Sequence, residues 1–407
     1  MPRLAIVASH PIQYQAPWFR ELAKVVDLEV FFCHRQDAAG QAAAGFGVPF
    51  EWDVPLLDGY ASHWLRNVAR RPSTERFSGC DTPEIDERLG AGRFDACIVS
   101  GWYLKSYIQA TRACWRRGIK VLVRGDSHLN VPRSRVKSAA KYLPYRWFLN
   151  RIDAHLFVGA ANRAYLRAYG VPDGKLFFVP HFVDNAFFAS RADRARTAGE
   201  ASRIRHEFGI PSDGVAFLFA GRLVEMKHPD HFIRACALVG HVADSRVHGI
   251  VVGDGPLRPE LESLAAASGA PVSFAGFKNQ TAVPAYYAAA DAMVLPSDGR
   301  ETWGLVVNEG MACGLPVIVS GAAGCVGDLV EHGVNGFVFP KGDIDRLAEC
   351  MRATMAADRR RMGNAARARV KGYAAPRAVA GTVEALAAVL DVRRVRASSR
   401  GREVSAR

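Results

Sequence analysis

Short, mainly apolar runs punctuate the chain at residues 4–8, 28–33, 94–99, 121–123 and 176–180, and again at 215–220, 250–253 and 272–276, broken only by Glu29, Asp95 and Ser273. Runs this short, with no regular polar alternation, predict strands buried on both faces of parallel sheets. Between them apolar residues recur at helical spacing. Trp18, Phe19, Leu22 and Val25 predict a helix over residues 17–26, and further helices fall at 104–116 and 345–356. Strands alternating with helices define an α/β chain. The alternation occurs in two sets divided by a polar, charged stretch at 190–207, so two Rossmann-like domains are predicted to face each other across a cleft. The reading divides the chain into a first domain at 1–185, a linker at 186–212 and a second domain at 213–372.

The stretch 296–320, PSDGRETWGLVVNEGMACGLPVIVS, breaks this monotony. From Trp303 to Cys313 only Asn308 and Glu309 are polar, so the helix it predicts has almost no solvent face. Glu309 is then a carboxylate on an apolar face, and a buried carboxylate needs partners. Glu301, with seven residues between it and Glu309, lies in the loop before the helix. At the helix start the N–H groups around Gly304, Leu305 and Val306 are free to meet an anion, and a glycine lets the ligand approach closely. Phosphate suits that end, whereas carboxylates suit hydroxyl donors. Diphosphate and sugar hydroxyls together describe a nucleotide sugar.

These residues resemble the signature of the family-4 retaining glycosyltransferases of the group 1 type, whose fold is GT-B. The resemblance implies that Glu309 holds the ribose hydroxyls, that Glu301 lies beside the donor sugar and that the helix start with Trp303 contributes to donor binding. It also implies a role for Arg222 and Lys227, which follow the strand 215–220 in GRLVEMKHPD and would neutralise a diphosphate leaving group. Gly253, in a tight GDG turn, and Phe277, in a segment resembling the one that flanks the nucleobase, complete the donor side. In relatives a His or His-Asp pair lies near VRGDSHL; Asp126 or His128 is the equivalent here, either acting directly or capping the turn. His10, in the SHPIQYQ turn after the first strand, is an active-site group or a turn histidine bonded to backbone. The loop-rich region 36–78 often helps form the acceptor site in such enzymes, and residues 373–392 resemble a terminal helix crossing back to the first domain.

The chain departs from the family in three places. The first turn has no glycine pair, His181-Phe182 replaces a usual Asn-Gly at the interdomain entry, and GAAGCVGDLV puts Asp328 where a Glu is usual. No clustered Asp-x-Asp accompanies the donor motif, so neither a metal nor another cofactor is expected. The resemblance implies front-face attack with retention, the leaving phosphate taking the acceptor proton.

Composition narrows the alternatives. With 49% hydrophobic and 23% charged residues the chain is globular, and its eight scattered cysteines form no Cys-x-x-Cys pair. No apolar run approaches membrane-spanning length and the opening residues are too short for a signal peptide, so a cytoplasmic location is expected. A net charge of +13 favours polyanions without choosing among them. Across residues 133–151 basic and aromatic residues interleave. Either an amphipathic helix turns its aromatic side inward and solvates its basic face, the favoured reading, or the surface sits on anionic lipid at the inner membrane face. The expected partners are a nucleotide-diphosphate sugar and a glycan, lipid-linked or other hydroxyl acceptor, not nucleic acid. Two other readings stay open: an epimerase or hydrolase on the same fold, and a basic membrane- or nucleic-acid-binding protein whose site has decayed. The Arg-rich end, residues 393–407, is expected to be disordered.

Overall fold

The computed structural model describes residues 1–131, 134–241 and 246–390. The tail expected at 393–407 and Arg133 lie outside the described residues. Seven strands form the first sheet: β1 (Arg3–Ala8), β2 (Asp27–Phe32), β3 (Ala61–Trp64), β4 (Ala96–Val99), β5 (Lys120–Val123), β6 (Ala154–Phe157) and β7 (Leu176–Phe178). Six form the second: β8 (Val215–Ala220), β9 (Val247–Val252), β10 (Val272–Gly276), β11 (Ala292–Leu295), β12 (Val317–Ser320) and β13 (Gly336–Phe339). Neighbours pair in parallel throughout, in the orders β3-β2-β1-β4-β5-β6-β7 and β10-β9-β8-β11-β12-β13. The order reverses beside β1 and again beside β8. The carboxyl ends of β1 and β4, and of β8 and β11, therefore open the two crevices in which such sheets take ligands.

Continuous apolar runs made these strands because both faces are covered. Leu4, Ile6 and Ala8 enter one core and Ala5 and Val7 the other. Likewise Ala216, Leu218 and Ala220 face one side of the second sheet, and Val215, Phe217 and Phe219 the opposite side. All eight cysteines are free thiols and seven are buried.

Four regions differ from or refine the sequence reading. The predicted linker is helical: Asn185–Thr197 and Glu200–Glu207 pack on the helix Val283–Ala289 of the second domain. Phe188, Ala192 and Ala195 are buried there, a small apolar face that the surrounding charges hid. The helix Ala375–Val389 does cross back, setting Ala378, Ala385 and Leu386 into the first domain's core. Its Gly381 lies so close to Phe178 that a Cβ would meet that carbonyl at 2.0 Å.

The region 36–78, expected on the acceptor side, packs in part on the second domain. A helix at Ala38–Gln41 continues into a π-turn at Ala42–Phe46, and Phe46, Phe50 and Trp52 cluster on Phe277, with the Phe50 and Phe277 centroids 4.3 Å apart. The Asn279 amide donates to the Glu51 carbonyl at 2.6 Å beside them. Mutual packing of these four half-buried aromatic rings draws the segment away from its own sheet. Lastly, the helix Arg135–Arg151 does not turn all its aromatic side inward. Leu149 is buried, whereas Leu143 and Trp147 face solvent.

Candidate active site

A cavity of about 600 Å³ lies between the carboxyl ends of the two sheets. The first domain contributes the turn after β1, Asp126 after β5 and His181 after β7; the second contributes the loops after β8, β9 and β11. Every residue predicted for the site lines it except His128. His128 is buried beside the cleft and its Nδ1 accepts the Asn130 N–H at 3.3 Å, which is the turn-capping alternative.

The loop after β11 ends at Gly304, with φ +97, and the helix Leu305–Ala312 begins there. A Cβ at Gly304 would come within 2.6 Å of Leu295, so the turn requires glycine. No side chain caps this helix start, and Gly304, Leu305 and Val306 open onto the cavity. That leaves backbone N–H groups and the positive end of the helix dipole facing the space.

Lys227 sits on the tight turn Glu225–Lys227 after β8, and its Nζ donates to Glu301 Oε2 in a pair that is almost wholly buried. Ser297 donates to the same oxygen at 3.3 Å. Arg222, on the same loop, donates to the Ala44 carbonyl of the first domain and lies over the Phe46 ring. The two cations thus line one wall of the cavity, Lys227 already engaged with Glu301.

Glu309 is buried and both of its oxygens accept phenol hydrogens, Oε1 from Tyr14 and Oε2 from Tyr287, each at 2.7 Å. Burial pushes its pKa up to about 7, against the lowering effect of the two phenols and of the Lys227 charge. Burial, then the charge of Glu309, raises both tyrosines, so they remain donors. Neither tyrosine stands out in the sequence: Tyr287 lies in an apolar, alanine-rich helix and Tyr14 in a polar turn. Tyr14 arrives from the first domain and packs against the second domain's core.

Asp126 joins the domains a second time, accepting from Thr302 Oγ1 at 2.8 Å. Its carboxylate looks into the cavity, and His181 Nε2 approaches it to 3.8 Å. Burial alone would raise Asp126, but His181, Thr302 and Arg124 together outweigh it and hold the pKa at about 2. His181 is lowered by burial and then by the Arg124 charge. His181 went unrecognised as a site residue, although its replacement of a usual Asn was the available signal. Burial also lowers His10 to about 4, so its ring is neutral in the cavity wall with Ser9 Oγ 3.0 Å from Nδ1. Asp328 is not a cavity residue: it accepts the Ala160 N–H at 2.9 Å and the Tyr373 hydroxyl at 3.1 Å, bonding domain to domain.

Among the described residues, His228, Asp230 and His231 form a group that could hold a cation. None of the three lines the cavity.

Two family models match the chain in succession, "Glycosyl transferase 4-like domain" over residues 12–181 and "Glycosyl transferases group 1" over residues 200–369. The chain belongs to the group 1 glycosyltransferases. Solved structures share its fold. HepE of Anabaena, in complex with UDP, has a TM-score of 0.69 at 18% identity, covering 95% of this chain and 99% of that one. Sucrose-phosphate synthase from Thermosynechococcus elongatus has 0.70 at 19%, covering 98% and 100%. These likenesses establish GT-B architecture for this group 1 glycosyltransferase. Among curated relatives, the D-inositol 3-phosphate glycosyltransferase of Xylanimonas cellulosilytica is 35% identical over 239 residues, 56% of this chain and 53% of the relative. A GDP-mannose-dependent phosphatidylinositol dimannoside mannosyltransferase of Mycobacterium tuberculosis is 37% identical over 121 residues, 29% of this chain and 30% of the relative. The chain thus matches about half the length, or less, of these relatives. In the group 1 glycosyltransferase described here, Arg222, Lys227, Glu301 and Glu309 fall within the second matched region, and Tyr14, Asp126 and His181 within the first.

Proposed function

We propose that the protein transfers a sugar from a nucleotide-diphosphate donor to a hydroxyl acceptor, with retention at the anomeric carbon and without a bound metal. One observation carries the reading: a single interdomain cavity gathers the open helix start at Gly304, the Lys227 and Glu301 pair, and Glu309 with its phenols. The helix start and the two cations suit a diphosphate, and Glu309 suits the ribose diol.

In this reading negative charge grows on the diphosphate as the sugar leaves, and Lys227 and Arg222 stabilise it there. Glu301 orients Lys227 toward the phosphates and accepts a donor-sugar hydroxyl. Asp126 is ionised at neutral pH and accepts from a second hydroxyl of the acceptor, which orients it, while the departing phosphate takes the single proton of the attacking hydroxyl as the new glycosidic bond forms. The relatives include a protein solved with UDP and one named for GDP-mannose, so the donor panel covers both bases.

The test is calorimetric titration with UDP, GDP, ADP and their common sugars, followed by incubation with hydroxyl acceptors in the presence of EDTA. Base-selective binding lost in Glu309→Ala, and a product with the donor's anomeric configuration by NMR, support the reading. Inverted product, or activity abolished by EDTA and restored by magnesium, refutes the corresponding part. Release of free sugar with no acceptor dependence would favour a hydrolase.

A further inference from the structure

The helix Arg135–Arg151 carries an apolar stripe on its solvent side. Val136 is 78% exposed, Leu143 71% and Trp147 60%, and positions 136, 143 and 147 fall on one face at helical spacing. Leu129, just before the helix, is exposed too. Single exposed apolar residues are ordinary, but an aligned set running from Val136 to Trp147, about 16 Å along the helix, is not. Among the described residues none covers Val136, Leu143 or Trp147, and the inner face of the same helix is already occupied by Phe148 and Leu149.

Charge identifies the occupant. Residues 127–151 contain six cations, Arg133, Arg135, Lys137, Lys141, Arg146 and Arg151, and no Asp or Glu. The Arg151 guanidinium lies over both Trp115 and Trp147, at 4.3 and 5.4 Å from their centroids, which holds the Trp147 indole at the surface with a cation beside it. Aromatic and aliphatic side chains flanked by arginine and lysine fit the boundary between acyl chains and anionic headgroups. We infer that this helix lies in the surface of an anionic bilayer, with Leu143 and Trp147 entering the acyl boundary.

The placement relates the bilayer to the cavity. Asp126 lines the cavity, and the Asn130 carbonyl abuts Gly299, where a Cβ would meet it at 2.3 Å. The stripe therefore starts at the mouth of the cleft. If transfer is the reaction, as proposed above, a lipid-borne hydroxyl reaches the cavity from this side; the bilayer contact itself does not rest on that reading.

The experiment is co-sedimentation of the full chain with phosphatidylcholine vesicles, with and without phosphatidylglycerol, for wild type and for the Leu143→Ser, Trp147→Ser double variant. Both positions are exposed, and an unchanged melting temperature together with unchanged nucleotide titration confirms that the variant is folded. The expected result is binding to the anionic vesicles only, released by salt, and weakened roughly tenfold or more in the double variant. Brominated lipid should quench wild-type fluorescence more than that of Trp147→Phe. Equal binding by the double variant, which would assign the attraction to the Arg-rich C-terminal segment, overturns the inference. So does no binding by wild type, or a wild-type dimer that the double variant dissociates in light scattering. If nucleotide titration fails while vesicle binding persists, the donor reading falls and the membrane surface stands.

Discussion

Tyr14→Phe removes one hydroxyl, the donor to Glu309 Oε1 at 2.7 Å, and leaves the ring that packs in the second domain's core. A hydrogen bond to a buried charged group contributes about 1.5–3 kcal/mol. Loss of that stabilisation falls on the ionised form of Glu309, so its pKa rises by roughly one to two units. The wild-type value is already about 7, set by burial against Tyr287, Tyr14 and Lys227. Below its pKa Glu309 is neutral and accepts a ribose diol poorly; above it, the carboxylate accepts both hydroxyls. Nucleotide affinity in the wild type should therefore climb as pH rises through about 7 and level off above. In Tyr14→Phe the climb should move upward by roughly one unit, giving roughly fivefold weaker binding at neutral pH and a smaller deficit at high pH. Calorimetric titration of the preferred nucleoside diphosphate over a pH series measures both curves. A coincident midpoint in the two proteins would refute the role of Tyr14. Affinity independent of pH in both would refute the placement of ribose on Glu309.

Three further outcomes follow from the same geometry. Because the folded pKa of Glu309 is raised above its ordinary 4.5, its contribution to stability is fully present below that value and is lost as pH rises through about 7. Glu309→Gln should abolish this loss, worth about 3 kcal/mol, and melt above the wild type at pH near 8 while losing nucleotide affinity; equal melting curves across the pH series would contradict the buried charge. Lys227→Ala should lower kcat by roughly a hundredfold or more and change nucleotide affinity less, as transition-state stabilisation requires; equal losses in both would make Lys227 a binding residue only. Gly304→Ala forces a Cβ to within 2.6 Å of Leu295 at φ +97 and should lower unfolding free energy by more than about 1 kcal/mol in denaturant melts, with nucleotide binding impaired.

Much of the fold was legible because a parallel strand covered on both faces leaves an unbroken apolar run, as in β1 and β8. The stretch around Glu301 and Glu309 was conspicuous for a related reason: a helix with almost no solvent face makes its two polar residues stand out. What escaped depended on contacts across the chain. Tyr14 sits in a polar turn, where no periodicity reports burial, and its partner is 295 residues away. Phe46, Phe50 and Trp52 looked scattered because the ring that gathers them, Phe277, belongs to the other sheet. His181 was visible as a substitution, but the pairing with Asp126 that gives it meaning required the ends of β5 and β7 to be placed together.

The contacts made by Tyr14 and by residues 38–53 bear on how such enzymes can be recombined. A cut between the two sheets looks natural from the strand orders, although the helix Ala375–Val389 already belongs to the first domain's core. Exchange of the second half alone would nevertheless bring in a Glu309 without its phenol donor, an Arg222 without the Ala44 carbonyl and a Phe277 without the rings that cover it. On the donor site proposed above, the first fifty or so residues share in setting donor preference, and hybrids that keep them matched to their own second half should retain it where hybrids joined at the linker do not.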